Sequence, residues 1–180
     1  MKQLLFGLAL LSLGACKKDD PNALPTATQE GSNTAGFLLD GQPWLPKGST
    51  LSSNVSGIDA TWNPSSKQRS VRLGFGRYGD NDITSFGFYL PYLKTPGTIK
   101  LDQSAPLYLG NSNPSYALYL VHQPSPDRYF LTGPNAHGQV NITRFDTIAR
   151  VVSGTFETRV QEDGGTATHE ITQGRFDIKF

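Results

Sequence analysis

Apolar and polar side chains alternate with a period of two along most of the chain from about residue 34 onwards. Residues 71–76 and 84–92 place large apolar side chains at nearly every second position, and 150–160 put Val152, Phe156 and Val160 on one face and polar residues on the other. A period of two is that of a half-buried β-strand, and no ten-residue stretch carries the 3.6-residue stripe of an amphipathic helix. The 19 glycines and 12 prolines interrupt these runs at short intervals, as turns do. The pattern predicts an all-β domain, a single antiparallel β-sandwich or flattened β-barrel of about nine to eleven strands.

The C-terminal segment predicts a β-hairpin in more detail. A strand over 150–161 leads into Glu162-Asp163-Gly164-Gly165, where Asp-Gly supplies the positive φ of a tight turn. The return strand covers 168–180, but its alternation changes phase: Ile171 lies at an odd position, whereas the later apolar residues lie at even ones. One inserted residue near Gln173-Gly174 restores the phase, so a β-bulge is predicted there.

Two shorter features belong to the same predicted sheet. Asp40-Gly41 has the residues of a two-residue hairpin turn, and Trp44 just beyond it is expected to cap one end of the hydrophobic core. In the strand over 150–160, the phase places Val152 and Phe156 inward and Ser153 outward.

The N-terminus has the layout of a secretory signal. Met1-Lys2-Gln3 is a short basic start, and the apolar run from Leu4 to Leu13 is too short to span a bilayer. Leu13-Gly14-Ala15-Cys16, which contains the only cysteine, resembles the lipobox of bacterial lipoproteins. The resemblance implies that residues 1–15 are a signal peptide, cleaved between Ala15 and Cys16, and that Cys16 carries the lipid. The alternative is an ordinary signal peptide cut elsewhere, which would leave a free thiol.

The residues after the cysteine refine the expected location. Lys17-Lys18-Asp19-Asp20 resembles the signal that sends Bacteroidota lipoproteins to the outer face of the outer membrane; a solvated charge cluster is the alternative, and the periplasmic face stays open. From Lys17 to about Asn33 the chain is polar, with Leu24 as its only large apolar residue. Residues 16–33 are therefore predicted to be a flexible tether and residues 34–180 the β domain.

Four blocks of the β domain carry a second resemblance. They are Gly36–Trp44, Gly138–Asp146, Val152–Phe156 and Ile171–Asp177. In the same order, they are similar to the patterns Asp-Gly-x-Pro-Trp, Gly-x-Val-x-Ile-Thr-x-Phe-Asp, Ile-Ser-Gly-Thr-Phe and Ile-Thr-x-Gly-x-Phe-Asp. They resemble an uncharacterised family of Bacteroidota outer-membrane lipoproteins, which has a valine where Leu39 stands here. The family implies an exported all-β lipoprotein domain and brings no catalytic residues with it.

The net charge and the cysteine content limit the kinds of partner and of stabilising bond that the chain is expected to have. The chain has 16 Lys and Arg against 15 Asp and Glu, and removal of the leader with Lys2 would leave it formally neutral. Without a basic excess, neither nucleic acid nor anionic lipid is an expected partner, and membrane association is expected through the N-terminal lipid. A single cysteine allows no internal disulfide, so the core must supply the stability. The domain is expected to be monomeric.

Few residues suggest catalysis. His122, His137 and His169 lie far apart in the sequence and without metal-ligand spacing, and no Gly-x-Ser-x-Gly motif occurs. Gly79-Asp80-Asn81-Asp82 has the oxygen content of a calcium loop but lacks the closing glutamate, so a turn between strands is the better interpretation. No catalytic residue, metal or cofactor is predicted.

Aromatic residues give the best indication of a ligand. Trp62, Tyr78, Tyr89 and Tyr119 could stack on sugar rings or line a pocket, although tyrosine is also simply a good strand residue. The leading hypothesis is a non-enzymatic binding or accessory module for a glycan or small ligand at the cell envelope. The alternative is a surface-anchored hydrolase acting on polysaccharide or another polymer.

One further motif concerns modification. Asp146-Thr147-Ile148 resembles the site at which Bacteroidota O-glycosylate exported proteins, which would place a sugar on Thr147. Three common residues also match by chance.

Overall fold

The computed structural model describes residues 23–49, 55–65, 69–79, 83–106, 113–122 and 125–180. These residues form eleven β-strands and no helix. The strands, in chain order, are β1 (Thr34–Leu39), β2 (Gln42–Trp44), β3 (Ile58–Asn63), β4 (Ser70–Tyr78), β5 (Ile83–Pro91), β6 (Gly97–Leu101), β7 (Tyr116–His122), β8 (Arg128–Leu131), β9 (Gly138–Asp146), β10 (Val151–Glu162) and β11 (Thr168–Lys179).

All eleven strands belong to one curled antiparallel sheet. Its main path runs β2-β1-β11-β10-β8-β7-β5-β4-β3, and β9 with its neighbour β6 branches off β10. The branch arises because β10 changes partner along its length: residues 151–158 pair with β9, whereas Gln161 and Glu162 pair with β8. The sheet curls into a half-barrel, which confirms the predicted all-β class.

The chain after β2 bridges the two ends of this curl. The backbone N–H of Lys47 donates to the carbonyl of Gly76 at 2.9 Å, and the N–H of Tyr78 donates to the carbonyl of Lys47 at 3.0 Å. Trp44 makes a second link of this kind, from β2 to β5: its indole Nε1 donates to Thr84 Oγ1 at 3.1 Å. Trp44 is buried and stacks on Phe37 within the core, and its position at one end of the core stays a prediction.

Phenylalanine rings fill the space inside the curl. Phe86 and Phe156, from opposite arms of the sheet, stack with their ring centroids 5.3 Å apart. Rings in such offset contact stabilise a core beyond the apolar area that they bury. The other buried phenylalanines of this cluster are Phe37, Phe75, Phe88 and Phe176.

The predicted alternation is confirmed in the strands that build this core. Val71, Leu73 and Phe75 in β4 are buried, as are Val152 and Phe156 in β10. Tyr92 breaks the pattern expected for 84–92. It lies just after β5 with a φ of 60°, and it is 59% exposed.

The C-terminal hairpin and its bulge are confirmed. Phe156 lies opposite Gly174 and Thr158 opposite Ile171, so β11 carries one residue more than β10 between these pairs. Gln173 takes a φ of 52° within this bulge. The Asp40-Gly41 turn is confirmed too, since both residues have positive φ, as a type I′ turn requires.

Residues 24–32, called the strap here, lie against the sheet although the sequence predicts a flexible tether as far as residue 33. The backbone N–H groups of Glu30, Gly31 and Ser32 all donate to the carboxylate of Asp177, at 2.8–3.1 Å. Thr28 Oγ1 donates to the same carboxylate at 2.6 Å. The ordered part of the chain therefore begins before residue 34, because hydrogen bonds to one distant carboxylate replace the apolar burial that this segment lacks.

The N-terminal predictions fall on a part of the chain that the structure does not cover. Ala15, Cys16 and the first residues of the predicted tether, up to residue 22, lie outside the described residues, as does Asp80-Asn81-Asp82. Within the described ranges, no helix has the length and apolarity to cross a bilayer.

Candidate functional site

A groove of about 540 Å³ lies between the strap and the outer face of β9, β10 and β11. This volume is within the range of small-ligand sites in proteins. Ala27 of the strap forms part of one wall, and Phe156 and Gly174 reach its floor at the bulge. The groove, called the strap groove here, is otherwise lined by six polar side chains: Gln139, Asn141, Thr155, Glu157, Gln173 and Arg175.

The six polar side chains form a regular array because their strands are in register. Thr155 lies opposite Asn141 on one side and Arg175 on the other, which makes the first row. Glu157 lies opposite Gln139 and beside the bulge that carries Gln173, and these three residues make the second row. Neighbouring strands are about 4.8 Å apart, and alternate residues of one strand about 6.8 Å. Three strands thus present two rows of hydrogen-bonding groups at the spacing of a sheet.

Most of these groups are free to bind a ligand. The side chains of Gln139, Thr155 and Glu157 make no hydrogen bond or ion pair with the described parts of the chain. Asn141 uses its Oδ1 to accept from Thr98 Oγ1 at 3.3 Å, which leaves its amide nitrogen as a donor. The groove therefore offers amide donors and acceptors, a hydroxyl and a carboxylate.

Arg175 joins the strap to the groove. Its Nη1 donates to the Pro25 carbonyl at 3.3 Å, and its Nε donates to the Gln173 carbonyl at 3.1 Å. A guanidinium has five N–H donors in a planar fork, so donors remain for a ligand. The side chain is held by both bonds at the lining of the groove.

Asp177 fixes the wall of the groove that the strap supplies. Its side chain is 1% exposed, and Ser153 Oγ donates to Oδ1 at 2.6 Å in addition to the strap's four bonds. Burial opposes ionisation of this carboxyl group, but the hydrogen bonds from Ser153, Thr28 and the strap backbone outweigh it and hold the pKa of Asp177 well below its usual value. Ser153, predicted to face solvent, is buried because the strap covers it.

The described residues of the groove include several groups for binding but a single carboxylate that could transfer a proton. Among the described residues that line it, Glu157 is the single carboxylate. Glycoside hydrolysis ordinarily needs two carboxyl groups on opposite sides of the scissile bond, about 5–9.5 Å apart. The arrangement is suited to holding a polar ligand in place.

The four aromatic residues predicted to stack on a ligand lie on two different faces of the sheet. Trp62 packs edge-on against Phe145 and Phe180, and Tyr119 is 4% exposed within the core. Tyr78 and Tyr89 lie on the outer face of β4 and β5, where Tyr89 is also buried, at 4% exposed. The four rings therefore form no common stacking surface, and none of them lines the strap groove.

The histidines lie apart, as the sequence indicates. His169 Nδ1 lies 2.6 Å from Asp40 Oδ2, and the N–H of Glu170 donates to Asp40 Oδ1 at 2.9 Å. Burial opposes ionisation of Asp40, but these bonds lower its pKa. The pair fastens the β1–β2 turn to β11. Nowhere in the described ranges do three or more His, Cys, Asp or Glu side chains come together to hold a metal ion.

Thr147 lies in the turn between β9 and β10, where it is exposed. The Asp146 carboxylate accepts hydrogen bonds from the N–H groups of Ile148 and Ala149, at 3.0 and 2.8 Å. Ile148 is 96% exposed. The turn thus presents Thr147 at the surface, where a modifying enzyme could reach it.

Comparison with known proteins adds no relative: no family model, no curated protein and no solved structure matches the chain. The family resemblance seen in the sequence therefore stays a prediction. Sequence analysis missed the strap groove, although the outward positions of three strands carried a signal in Gln139-x-Asn141, Thr155-x-Glu157 and Gln173-x-Arg175.

Proposed function

We propose that this protein is a cell-envelope lipoprotein whose β domain binds a glycan or another small polyhydroxylated ligand without transforming it. The observation that carries the proposal is the array of six polar side chains in the strap groove. A sugar ring presents hydroxyl groups that both donate and accept hydrogen bonds. The groove complements such a ligand, because its amide side chains, its carboxylate and its guanidinium together supply hydrogen-bond donors and acceptors.

Glycan arrays test the ligand class. The probes are immobilised neutral, uronic-acid-containing and amino-sugar oligosaccharides, and the full-length protein in detergent is the analyte. Titration calorimetry on the best hit then compares wild type with Gln139→Ala and Asn141→Ala. Loss of one neutral hydrogen bond, about 1 kcal/mol, should weaken binding about fivefold.

Gln42→Ala is the matched control, because Gln42 is an exposed strand glutamine on β2, outside the strap groove. It should bind as wild type does. Absence of binding to every probe, or affinities unchanged in both groove variants, would contradict the proposal.

The hydrolase alternative is separated by product analysis. Each bound oligosaccharide is incubated with the protein and examined by mass spectrometry for shortened chains. Binding without cleavage supports the binding module. Cleavage that disappears in Glu157→Gln would favour the hydrolase, since Glu157 is the one carboxylate among the described lining residues.

We further propose that Cys16 anchors the domain in the outer membrane, with the Lys17-Lys18-Asp19-Asp20 segment directing it to the cell surface. Two acyl chains or more give stable membrane binding, since each buried methylene contributes about 0.8 kcal/mol. An alkyne analogue of palmitate should label wild type and not Cys16→Ala. Alanines at positions 17–20 should keep the label and lose accessibility to protease on intact cells.

Thr147 is proposed as a glycan attachment site. Intact-mass measurement of protein from its native host should show a mass increase that is absent from Thr147→Ala. Thr166→Ala, a second exposed turn threonine, is the control. An unmodified wild-type mass would refute this assignment.

A further inference from the structure

Two glycines lie side by side on the outer face of the other arm of the sheet. Gly74 in β4 pairs directly with Gly87 in β5, and Leu118 in β7 follows in the same cross-strand row. Two adjacent positions without side chains leave a depression of about 210 Å³. This depression, called the glycine trough here, is smaller than most drug-sized sites and has room for one ring or a short chain.

Aromatic rings and a cation form one side of the trough. Arg72, Tyr89 and Tyr116 make the adjacent cross-strand row. The two tyrosine rings lie 5.7 Å apart, and the Arg72 guanidinium lies 5.6 Å from the centre of the Tyr89 ring. Burial raises the pKa of the Tyr116 phenol, in agreement with apolar surroundings.

The remaining residues that line the trough are mostly apolar, and the exposed Asp59 of β3 lies opposite Gly74 at the edge of the trough. Leu118 is half-buried and pairs with Leu131 of β8, which extends the apolar surface beyond the trough. Ser85 is the one small polar side chain among the described lining residues. Apolar surface left accessible in this way favours a ligand that removes it from water.

Arg72 supplies the complementary charge. It is exposed, and it makes no ion pair or hydrogen bond with the described residues, so its guanidinium is available at the rim of the trough. A guanidinium binds a carboxylate through two parallel N–H donors. We infer that the glycine trough is a second ligand site, which takes a free small amphiphile: an apolar ring or short chain on the glycines, with its carboxylate on Arg72.

The test uses 3-phenylpropionate and its uncharged amide, titrated against the full-length protein and followed by calorimetry. The acid should bind wild type, and the amide should bind at least fivefold more weakly. Arg72→Gln should weaken binding of the acid by a similar factor and leave that of the amide unchanged. Arg77→Gln, an exposed arginine on the same strand but outside the trough, is the control and should bind both as wild type does.

Filling the trough tests its location. A Cβ at Gly74 would meet nothing closer than 3.8 Å, so Gly74→Leu can occupy the trough without a backbone clash and should abolish binding. Gly87 is unsuitable, because its Cβ would lie 2.5 Å from the Leu73 carbonyl oxygen. If Gly74→Leu fails to fold, the methyl resonances of Leu118 in wild type decide instead: they should shift on titration.

Three results would overturn the inference. The first is that wild type does not bind the acid at millimolar concentration, and the second is that it binds acid and amide with equal affinity. The third is that folded Gly74→Leu still binds the acid fully or, if that variant does not fold, that the Leu118 methyl resonances of wild type do not shift. The strap groove is on the other arm of the sheet, so failure here leaves the proposed glycan site untouched.

Discussion

The backbone N–H of Gly31 donates a hydrogen bond of 2.8 Å to Oδ1 of Asp177, although the two residues lie 146 positions apart. Glu30 and Ser32 place their own N–H groups on the other carboxylate oxygen. Three successive backbone donors around one anion form a nest, a concave arrangement that favours negative charge. This nest makes the strap part of the folded domain and gives the strap groove its second wall.

Asp177→Asn should therefore destabilise the protein and release the strap. The asparagine side chain keeps the shape, but it loses the charge and presents an NH₂ group to donors. Hydrogen bonds to a buried charge are strong, so we expect a loss of about 2–4 kcal/mol in the free energy of unfolding. Urea unfolding measures it. Asp102→Asn, an exposed carboxylate with no such bonds, should unfold as wild type does; equal stability of the two variants would contradict this role for Asp177.

The same carboxylate predicts how stability depends on pH. The pKa of Asp177 is lower in the folded than in the unfolded protein, so the unfolded state binds a proton first as pH falls. Its contribution is then fully present above the ordinary value of 3.8 and is lost below it. The difference in urea midpoint between wild type and Asp177→Asn should stay constant from pH 6 to about pH 5 and shrink steadily between about pH 4 and pH 2.

This comparison isolates one group. Asp40, Asp146 and Glu162 also have lowered pKa values, but they are present in both proteins and cancel in the difference. A difference that stays constant or grows between about pH 4 and pH 2 would show that Asp177 is not ionised in the folded state.

The bulge in β11 depends on a glycine. A Cβ at Gly174 would lie 2.4 Å from the Phe156 ring, which is itself fixed among other aromatic rings. Gly174→Ala should cost about 1–3 kcal/mol through overpacking. Gly133→Ala is the control, because a Cβ there meets no atom within 4 Å. Thermal unfolding of both variants measures the effect. Equal midpoints for the two variants would show that the Phe156 ring moves aside at no cost in stability.

The two tryptophans should respond differently to the same substitution. Trp44 Nε1 has Thr84 Oγ1 as its partner, whereas the buried Nε1 of Trp62 has no hydrogen-bond partner among the described residues. Trp44→Phe leaves the Thr84 hydroxyl buried without its donor, at a cost of about 1–3 kcal/mol beyond the lost ring area. Trp62→Phe removes an unpaired donor and should cost less. Chemical unfolding of both variants should rank them in this order, and the reverse order would be evidence against the Trp44–Thr84 bond.

The sheet could be predicted from the sequence where a single strand or hairpin contains the whole signal. The burial of Val71, Leu73 and Phe75 follows from their spacing alone. The bulge at Gln173 follows from a change of phase inside one strand. Both depend on local alternation, because one inserted residue moves every later side chain to the other face.

The strap and the strap groove could not be predicted in the same way. Residues 24–32 look like a tether because they lack apolar side chains, and their partner, Asp177, lies near the other end of the chain. The groove needs three strands in a particular register, which no single strand specifies. Tyr119 and Trp62 were open to both interpretations, since tyrosine and tryptophan suit either face of a strand.

The strap also determines how the domain would respond to mechanical tension. A pull on the N-terminal segment reaches Asp177 before it reaches β1, and Asp177 belongs to β11, which is paired on both sides. Three backbone bonds and one hydroxyl bond share that load together, whereas an edge strand would open one bond at a time. A force applied to the N-terminal segment would therefore be resisted in the interior of the sheet.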